Sequence, residues 1–419
     1  MEKVLIIANL FPPIGGSGVQ RSVKFVKYLR NYGYDPVVLT RKTDSSRVND
    51  ETLLKDIPDS VLVYRTRACE FAELKGIFYI FGKIISKLMI PDGQYLWSRL
   101  ARRTAIDIIK KYNIKKVYTT STPYSAHLLG LYIKNKLPDI KLVVDFRDEW
   151  TNNPYILDKP YNKIRMGIER RMERKVLNTA DFIIANTPVM KDNFLKNNNM
   201  EDEKFYVIPN GYDEEDFLGY DKKSVKNKKF TMVYTGSLYG RRKPDTFFEA
   251  LKQLLEENKI DRNKICVKLI GNYHNDKLQT LIDSYNLTKQ IEILGYVSHD
   301  VCIKYQMECD SLVLIEGSGR GGNAFYTGKI FEYMNTGKPV LALLPDGVAA
   351  DLIREANIGL VANTDDIKQI KENMIKYYEM WEKGKLIIKP VKNVIKQYER
   401  KKLTEKLALV FNGLDDGGK

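Results

Sequence analysis

The stretch Gly317-Ser-Gly-Arg-Gly-Gly-Asn-Ala-Phe-Tyr-Thr-Gly-Lys-Ile-Phe-Glu-Tyr-Met-Asn-Thr-Gly-Lys-Pro-Val340 decides how the chain is interpreted. A glycine-rich loop, flanked by apolar runs typical of buried strands (310–315 and 338–344), precedes a predicted helix that begins near Thr327, Gly328 and Lys329. Helix starts attract phosphate through unpaired N–H groups and the helix dipole, and Lys329 adds a full charge. Glu332, one turn later, could accept hydrogen bonds from sugar hydroxyls. A glycine-rich loop alone would be better explained as an ordinary helix cap, so the context decides.

The composition predicts a globular protein with a basic surface. The 419 residues are 43% hydrophobic and 29% charged, which favours two domains over one unusually large domain. A net charge of +15 fits a nucleic acid, an anionic membrane surface or a phosphate-rich substrate. No aromatic–basic recognition motif accompanies this charge, so we do not expect nucleic acid as a partner.

Several features favour a cytoplasmic location, with peripheral attachment to the inner face of the plasma membrane as an option. A strand pattern begins at Val4 with no signal peptide before it, and no apolar run reaches the roughly 20 residues of a membrane-spanning helix. The cysteines, at positions 69, 266, 302 and 309, include no CxxC pair, which argues against a zinc site or a disulfide framework. Reduced thiols are the simplest interpretation.

Strand and helix patterns alternate along the chain, as in doubly wound parallel sheets. The predicted strands of the first half are 4–8, 36–40, 61–64, 116–120, 141–145, 181–185 and 205–208. A polar, linker-like stretch (210–229) follows, and alternation restarts at 231–235, 266–270, 291–294 and the strands around the glycine-rich loop. We therefore predict an α/β protein with two Rossmann-like domains, 1–215 and 216–390, and a ligand cleft between them. The tail (391–414) has the pattern of one long basic helix.

Five stretches together resemble the retaining, nucleotide-sugar-using glycosyltransferases of family 4, which have the GT-B fold. In the family's order they are Asn9-Leu-Phe-Pro-Pro-Ile-Gly-Gly16, Val144-Asp-Phe-Arg-Asp-Glu-Trp150, Val207-Ile-Pro-Asn-Gly-Tyr-Asp213, Tyr234-Thr-Gly-Ser-Leu-Tyr-Gly240 and Lys329-Ile-Phe-Glu-Tyr-Met-Asn-Thr-Gly-Lys-Pro-Val340. The resemblance implies a nucleotide-sugar donor in the C-terminal domain, an acceptor site in the N-terminal domain, and a final helix (391–419) that returns to the N-terminal domain. It implies sugar transfer, without a metal or other cofactor, to a glycan or lipid-linked acceptor in bacterial surface polysaccharide synthesis.

The family's signature is a pair of glutamates separated by seven residues. Glu332 matches the second glutamate, to which the resemblance assigns the donor ribose. The first falls at Ala324, so the donor sugar must be contacted differently. Glu316 is too far upstream for a simple replacement unless the folded loop delivers it.

The departing diphosphate needs cations and N–H groups that are fixed in advance. The family places a basic pair after the glycine that begins the second domain, which is Gly236 here, and the resemblance implies that this glycine also contacts the donor. Ser237 follows that glycine, so the cations would be Arg241, Arg242 or Lys243, together with Lys329. The alternative for 241–243 is a solvated basic turn.

Three further positions are predicted to contact the donor or acceptor. Gly15 and Gly16 occupy the first strand–helix turn, where glycine lets the backbone approach a ligand and Ser17 can cap the next helix. A purely structural turn is the alternative. Tyr296 follows a predicted strand at the position where family members hold the nucleobase, and its ring could stack on any base.

The candidates for acceptor-side chemistry are Asp145, Arg147, Asp148 and His127. The aspartates could orient an acceptor hydroxyl, and Arg147 stands where many relatives have a histidine that contacts the donor sugar. Arg147 could instead form a structural salt bridge with either aspartate. His127 could contact the acceptor, although a lone histidine is more often structural.

An apolar and basic segment (71–90), with Trp97, Arg99, Arg102 and Arg103 beyond it, could form an interfacial helix on an anionic membrane. A helix packed on the N-terminal sheet or a partner interface would explain it as well. Two alternatives to glycosyl transfer also remain, namely a nucleotide-sugar epimerase on the same scaffold and a non-catalytic nucleotide-sugar-binding subunit.

Overall fold

The computed structural model of the chain describes residues 1–43, 49–68, 89–220 and 227–414. Parts of the predicted linker (221–226) and tail (415–419), and Cys69, lie outside these ranges. The chain forms two units, one comprising Met1–Asn210 and the chain from Arg400 onward, the other Gly211–Glu399. Each unit contains one parallel sheet covered by helices, so the predicted α/β fold with two Rossmann-like domains is confirmed.

A seven-stranded parallel sheet forms the centre of the first unit, in the order β3-β2-β1-β4-β5-β6-β7. The order reverses between β1 and β4, which is the switch point where doubly wound sheets bind ligands. The strands are β1 (Glu2–Ile7), β2 (Tyr34–Arg41), β3 (Leu62–Thr66), β4 (Lys116–Thr120), β5 (Lys141–Phe146), β6 (Phe182–Ala185) and β7 (Phe205–Val207).

Helices cover both faces of this sheet. They are α1 (Ser17–Tyr28), α2 (Tyr95–Tyr112), α3 (Ser125–Lys136), α4 (Pro154–Asp158), α5 (Lys163–Thr179) and α6 (Pro188–Asn198). Short 3-10 turns occur in this unit at Leu29–Tyr32, Glu51–Asp56 and Asp202–Lys204, and another occurs in the second unit at Glu214–Phe217. The apolar faces of α2, α3, α5 and α6 share one core with the strand residues of one sheet face, so these helices lie on the same side. The strands have apolar residues on both faces because both are covered.

The second unit contains a six-stranded parallel sheet in the order β10-β9-β8-β11-β12-β13. Its strands are β8 (Phe230–Thr235), β9 (Ile265–Ile270), β10 (Ile291–Gly295), β11 (Ser311–Ile315), β12 (Val340–Leu343) and β13 (Gly359–Ala362). Its helices are α7 (Asp245–Glu256), α8 (Asn275–Ser284), α9 (His299–Glu308), α10 (Lys329–Thr336), α11 (Val348–Glu355), α12 (Ile367–Glu382) and α13 (Lys392–Lys396).

The predicted single tail helix is wrong, because the chain leaves helical geometry after α13. The backbone N–H of Tyr212 donates to the carbonyl of Tyr398, and this pairing replaces a helical turn. The final helix, α14 (Arg400–Gly413), belongs to the first unit. Its apolar residues, among them Leu403, Leu407 and Phe411, pack with the sheet face opposite to α2 and α5. The predicted return of the last helix to the N-terminal domain is thereby confirmed.

Candidate active site

Lys329 occupies the centre of the candidate donor site in the second unit. It begins α10, and its Nζ donates to Tyr234 Oη at 3.0 Å while lying 4.4 Å from the centre of the Tyr234 ring. Burial, reinforced by the positive charge of Arg242, lowers the pKa of Lys329 to about 7, and the charges of Glu316 and Glu332 oppose this shift. An anion bound beside the ammonium would favour its charged form and raise the pKa again.

Gly236 makes room for this lysine. It directly follows β8, and its φ of +109° is unfavourable for other residues. A Cβ at this position would overlap the Lys329 side chain. The backbone of Gly236 is fixed as well, since its N–H donates to Ile270 and its carbonyl accepts from Tyr273 Oη at 3.0 Å. Gly236, which is predicted to contact the donor, therefore also provides the space in which the Lys329 side chain lies.

An ion pair between Arg242 and Glu316 lies beside Lys329. Arg242 Nε donates to Glu316 Oε1 at 2.6 Å, and Nη1 donates to Tyr239 Oη at 3.2 Å. Glu316 directly follows β11 and is only 4% exposed. Its backbone is held by Leu343 and by the Thr364 hydroxyl. The fold thus delivers Glu316 to the site, where its carboxylate holds Arg242.

The neighbouring cations have different environments. Arg241 lies against the glycine-rich loop, and a Cβ at Gly319 would come within 2.6 Å of its guanidinium carbon. Its Nη2 donates to the carbonyl of Arg320 at 3.0 Å. Lys243 is exposed. The charge of Arg242 acts on Lys329, and Arg241 packs against the glycine-rich loop.

Glu332 is oriented by two side chains of α9, His299 and Gln306, that were not among the residues predicted from the sequence. Its Oε1 lies 3.1 Å from His299 Nε2, and its Oε2 accepts from Gln306 Nε2 at 3.0 Å. The carboxylate keeps 23% of its side-chain surface exposed. His299 and Gln306 are seven residues apart and therefore lie on one face of α9. Two polar residues at this spacing, directly after a predicted strand, are the sequence signal that could have identified them.

The remaining donor-side candidates lie near the carboxyl edge of the same sheet. Thr327 is buried, and its carbonyl accepts from Ile330 N–H at 3.2 Å. Gly328 is the exposed N-cap of α10. Tyr296 directly follows β10, and the residue is 41% exposed. Contact of these residues with the donor stays a prediction.

Asp145, in the first unit, is saturated with hydrogen bonds in the protein interior. Arg21 donates to both of its oxygens, at 2.7 and 2.8 Å. Tyr118 and Thr120 donate to Oδ2 at 2.5 and 2.8 Å. Burial alone would raise the pKa of Asp145, but the charge of Arg21 and these hydrogen bonds outweigh it, so the pKa is lowered. This placement favours a structural role, and no local sequence pattern had indicated Arg21 as the partner of Asp145.

Arg147 joins the start of α1 to the loop after β4 at the carboxyl edge of the first sheet. Its guanidinium donates to the backbone carbonyls of Gly18, Ser121 and Thr122. Arg21 rather than Arg147 forms the bidentate pair with Asp145. Burial lowers the pKa of Arg147, while the nearby charge of half-buried Asp148 opposes this effect. Both residues stay predictions for the acceptor side, with Asp148 the more accessible.

The first strand–helix turn needs glycine for its conformation. Gly16 has a φ of +102° and is the N-cap of α1, so Ser17 is the first residue of that helix and not its cap. A Cβ at Gly16 would meet no atom within 4 Å. Gly15, beside it, is half-buried. The open space at Gly16 leaves room for a ligand to approach the backbone.

His127 lies in the core of the first unit. Its side chain has no exposed surface, its Nδ1 lies 2.8 Å from Thr119 Oγ1, and its ring centre is 4.5 Å from that of Phe146. Burial lowers its pKa to about 3. The ring is therefore neutral at physiological pH, and its burial favours the structural interpretation.

Most of the segment predicted to bind a membrane, 71–90, lies outside the described residues. Trp97, beyond it, is buried and donates to Thr66 Oγ1 at 3.0 Å. Arg102 packs over the Tyr132 ring at 4.3 Å, whereas Arg99 and Arg103 are exposed. No helix in the described ranges combines the length and apolar character needed to cross a bilayer.

Two family models match the sequence and together cover almost all of it. The model described as Glycosyltransferase Family 4 matches residues 16–216. The model described as Glycosyl transferases group 1 matches residues 219–413. No curated protein sequence gives a significant match.

Solved structures with the same fold span the whole chain. Sucrose-phosphate synthase from Thermosynechococcus elongatus is 14% identical with a TM-score of 0.69, and each chain is covered to 100%. HepE from Anabaena, solved with UDP-glucose, is 15% identical with a TM-score of 0.68, and 99% of this chain and 100% of HepE are covered. A UDP-N-acetylglucosamine 2-epimerase is 14% identical with a TM-score of 0.56, covering 98% of this chain and 96% of its own. At these identities the likenesses show the fold alone.

Proposed function

The chain belongs to the glycosyltransferases with the GT-B fold, and we propose that it is a retaining, nucleotide-sugar-dependent hexosyltransferase. The acceptor would be a hydroxyl of a glycan or lipid-linked glycan in bacterial surface polysaccharide synthesis. The observation that carries the proposal is the placement of Lys329 beside Arg242, with Glu332 one helical turn later. This arrangement offers two cations to a diphosphate and a carboxylate to a ribose.

Lys329 and Arg242 would bind the two phosphates of the donor. As the bond from the anomeric carbon to the diphosphate oxygen breaks, negative charge develops on the diphosphate, and fixed cations stabilise it without reorganising. Glu316 holds Arg242 in place through the 2.6 Å ion pair. The proposal includes no metal ion or other cofactor, because these side chains would supply the positive charge.

Retention follows if the acceptor oxygen attacks the face from which the diphosphate departs. The acceptor hydroxyl forms the new bond to the anomeric carbon, and its proton passes to the departing phosphate oxygen. This sequence requires no separate protein base. It therefore does not depend on Asp145 or His127, both of which are buried and engaged in hydrogen bonds.

Glu332 would accept hydrogen bonds from the ribose hydroxyls, held in position by His299 and Gln306. Each carboxylate oxygen can accept more than one hydrogen bond, so these contacts leave capacity for the ligand. The backbone of Gly15 and Gly16 would contact the donor phosphate or the acceptor. The Tyr296 ring would stack on the nucleobase. The first family glutamate is replaced by Ala324, which leaves the contacts to the donor sugar to other groups.

The decisive experiment incubates the purified full chain with a panel of nucleoside-diphosphate sugars, with and without glycan acceptors, in the presence of EDTA. We expect acceptor-dependent release of nucleoside diphosphate and a product that keeps the donor's anomeric configuration by NMR. Inverted configuration would contradict retention. Loss of activity in EDTA would contradict a metal-free step.

The same experiment tests the second candidate, a nucleotide-sugar epimerase, which the fold of the epimerase neighbour keeps open. Isomerised nucleotide sugar without any acceptor would favour that activity over transfer. Transfer by the purified chain alone would also dispose of a non-catalytic subunit role.

A further inference from the structure

The turn that follows β8 has two of its backbone carbonyls bound by tyrosine hydroxyls. Tyr273, from the loop after β9, donates to the Gly236 carbonyl at 3.0 Å. Tyr234, the penultimate residue of β8, donates to the Ser237 carbonyl at 3.3 Å. Burial raises the pKa of Tyr273, so its hydroxyl stays neutral and keeps the proton that it donates. The two hydroxyls therefore fix the direction of both carbonyls.

The N–H groups of the same two peptide units point away from the tyrosines. Both units are trans, and in a trans peptide the C=O and N–H bonds point in opposite directions. The Ser237 N–H thus points away from Tyr273, and the Leu238 N–H points away from Tyr234. Within the ranges that the structure describes, neither N–H has a hydrogen-bond partner. Ser237 and Leu238 are half-buried, so water or a ligand satisfies these two donors.

Gly271 provides the space that this orientation requires. A Cβ at Gly271 would lie 2.4 Å from the Gly236 carbonyl oxygen and 3.0 Å from Tyr273 Oη. The Gly271 N–H donates to the Gly295 carbonyl at 2.8 Å, which fixes the end of β9 beside the turn. The direction of the Gly236 carbonyl is therefore supported by two neighbouring elements.

The Lys329 ammonium lies next to this turn. A Cβ at Gly236 would lie 2.8 Å from Lys329 Nζ. The ammonium has three donors, and one of them is used by Tyr234 Oη at 3.0 Å. No other described residue accepts a hydrogen bond from it. The Tyr234 hydroxyl thus accepts from the lysine and donates to the turn, so it holds both groups in a fixed relation.

We propose that this turn binds a phosphate, to which the N–H groups of Ser237 and Leu238 and the Lys329 ammonium donate. Tyr234 and Tyr273 are positioning residues, because they orient these donors without touching the ligand. Successive N–H groups of a turn form a concavity that binds anions, and these donors are oriented before the ligand arrives. The inference rests on the proposed function, in which this phosphate belongs to the diphosphate of the donor.

The test measures the binding of inorganic pyrophosphate to the full chain by calorimetry, in EDTA and at about pH 6, below the pKa of Lys329. We expect Tyr273→Phe and Tyr234→Phe each to weaken binding by about fivefold, the effect of one hydrogen bond. Tyr377→Phe is the matched control, because Tyr377 is buried and its hydroxyl donates to the Val340 carbonyl at 3.1 Å. It should lower the thermal unfolding temperature as the other variants do, and bind pyrophosphate as the wild type does.

A pH profile separates the roles of the two tyrosines. Tyr234→Phe removes the acceptor of the Lys329 ammonium, so the pKa of the lysine falls and donor affinity declines from a lower pH than in the wild type. Tyr273→Phe leaves this hydrogen bond in place and should keep the midpoint of the wild type. The probe is a nucleoside-diphosphate sugar that binds the wild type. Loss of packing alone would shift neither midpoint.

Three outcomes would overturn the proposal. Unchanged pyrophosphate affinity in Tyr273→Phe and Tyr234→Phe would show that the tyrosines do not position the donors, and would leave the proposed function standing. An equal loss in Tyr377→Phe would assign the effect to general destabilisation. A wild-type chain that binds neither pyrophosphate nor a nucleoside diphosphate would overturn this inference and the proposed function together.

Discussion

The Lys329 ammonium lies close enough to the Arg242 guanidinium for the arginine's charge to help lower the lysine pKa to about 7. Two neighbouring cations repel one another, and the ion pair with Glu316 compensates the charge of Arg242 only in part for Lys329, whose pKa stays lowered. Gly236 provides the space for Lys329, and Glu316 anchors Arg242 at 2.6 Å. The second unit therefore contains a cationic site that is prepared for a diphosphate before the ligand arrives.

Donor affinity should fall as the pH rises above 7. Free Lys329 loses its proton near that pH, whereas the bound diphosphate favours the protonated form, so binding takes up a proton. Above pH 7 the decrease in donor affinity should approach tenfold per pH unit. A nucleoside-diphosphate sugar is the right probe, because its phosphates do not titrate in this range. Calorimetry at several pH values should show the dependence in the wild type and its loss in Lys329→Arg, which stays charged. A flat profile in the wild type would refute this role for Lys329.

Gln306→Leu should weaken donor binding by about tenfold while Glu332 is still present. The glutamine donates to Glu332 Oε2 at 3.0 Å, and a hydrogen bond to a charged group contributes about 1.5–3 kcal/mol. Gln290→Leu is the matched control. Gln290 lies just before β10, is also buried, and donates to the carbonyl of Arg262. Titration with nucleoside diphosphate measures both. Equal affinity in the two variants would show that Gln306 does not position Glu332.

Gly236→Ala should cost at least tenfold in donor affinity, because the added Cβ displaces Lys329. Gly219→Ala is the control, since Gly219 has a φ of +89° but open space around it. Both variants should lose about 1 kcal/mol of folding stability from the positive φ. Thermal unfolding and donor titration separate the two effects. Unchanged donor affinity in Gly236→Ala would contradict the claim that Gly236 provides the space for the Lys329 side chain.

Asp145→Asn should destabilise the fold by about 3 kcal/mol or more, because it leaves the Arg21 guanidinium buried without its charge partner. Arg103 and Asp107 form an exposed pair at 3.9 Å, and Asp107→Asn should change stability by less than about 0.5 kcal/mol. Urea unfolding measures both variants. A stable Asp145→Asn chain without transferase activity would instead support the acceptor role considered from the sequence.

Local patterns identified most of the fold. The apolar runs predicted as strands correspond to β1 through β12, because both faces of a parallel strand are buried and the run itself is the signal. β13 (Gly359–Ala362) was missed, since it is short and partly exposed. The break between α13 and α14 was missed because the backbone of Tyr398 pairs with Tyr212, far away in the sequence.

Long-range contacts limited the prediction of the site in the same way. Local patterns indicated Lys329 and Glu332, but their partners come from other elements. Arg21 and Asp145 are 124 positions apart, and His299 lies 33 positions before Glu332. The consecutive residues Arg241 and Arg242 looked equivalent as a basic turn. Tertiary packing directs the first into the glycine-rich loop and the second towards Glu316.

The most direct test of the central claim compares nucleoside diphosphate and unphosphorylated nucleoside binding in Lys329→Met, Arg242→Met and the double variant. Because the two cations share one ligand, each single variant should lose at least tenfold in diphosphate affinity, and the double variant should depart from additivity. Nucleoside affinity should not change, and Lys243→Met, an exposed control, should bind as the wild type does. Diphosphate affinity that is unchanged in the double variant would contradict the account.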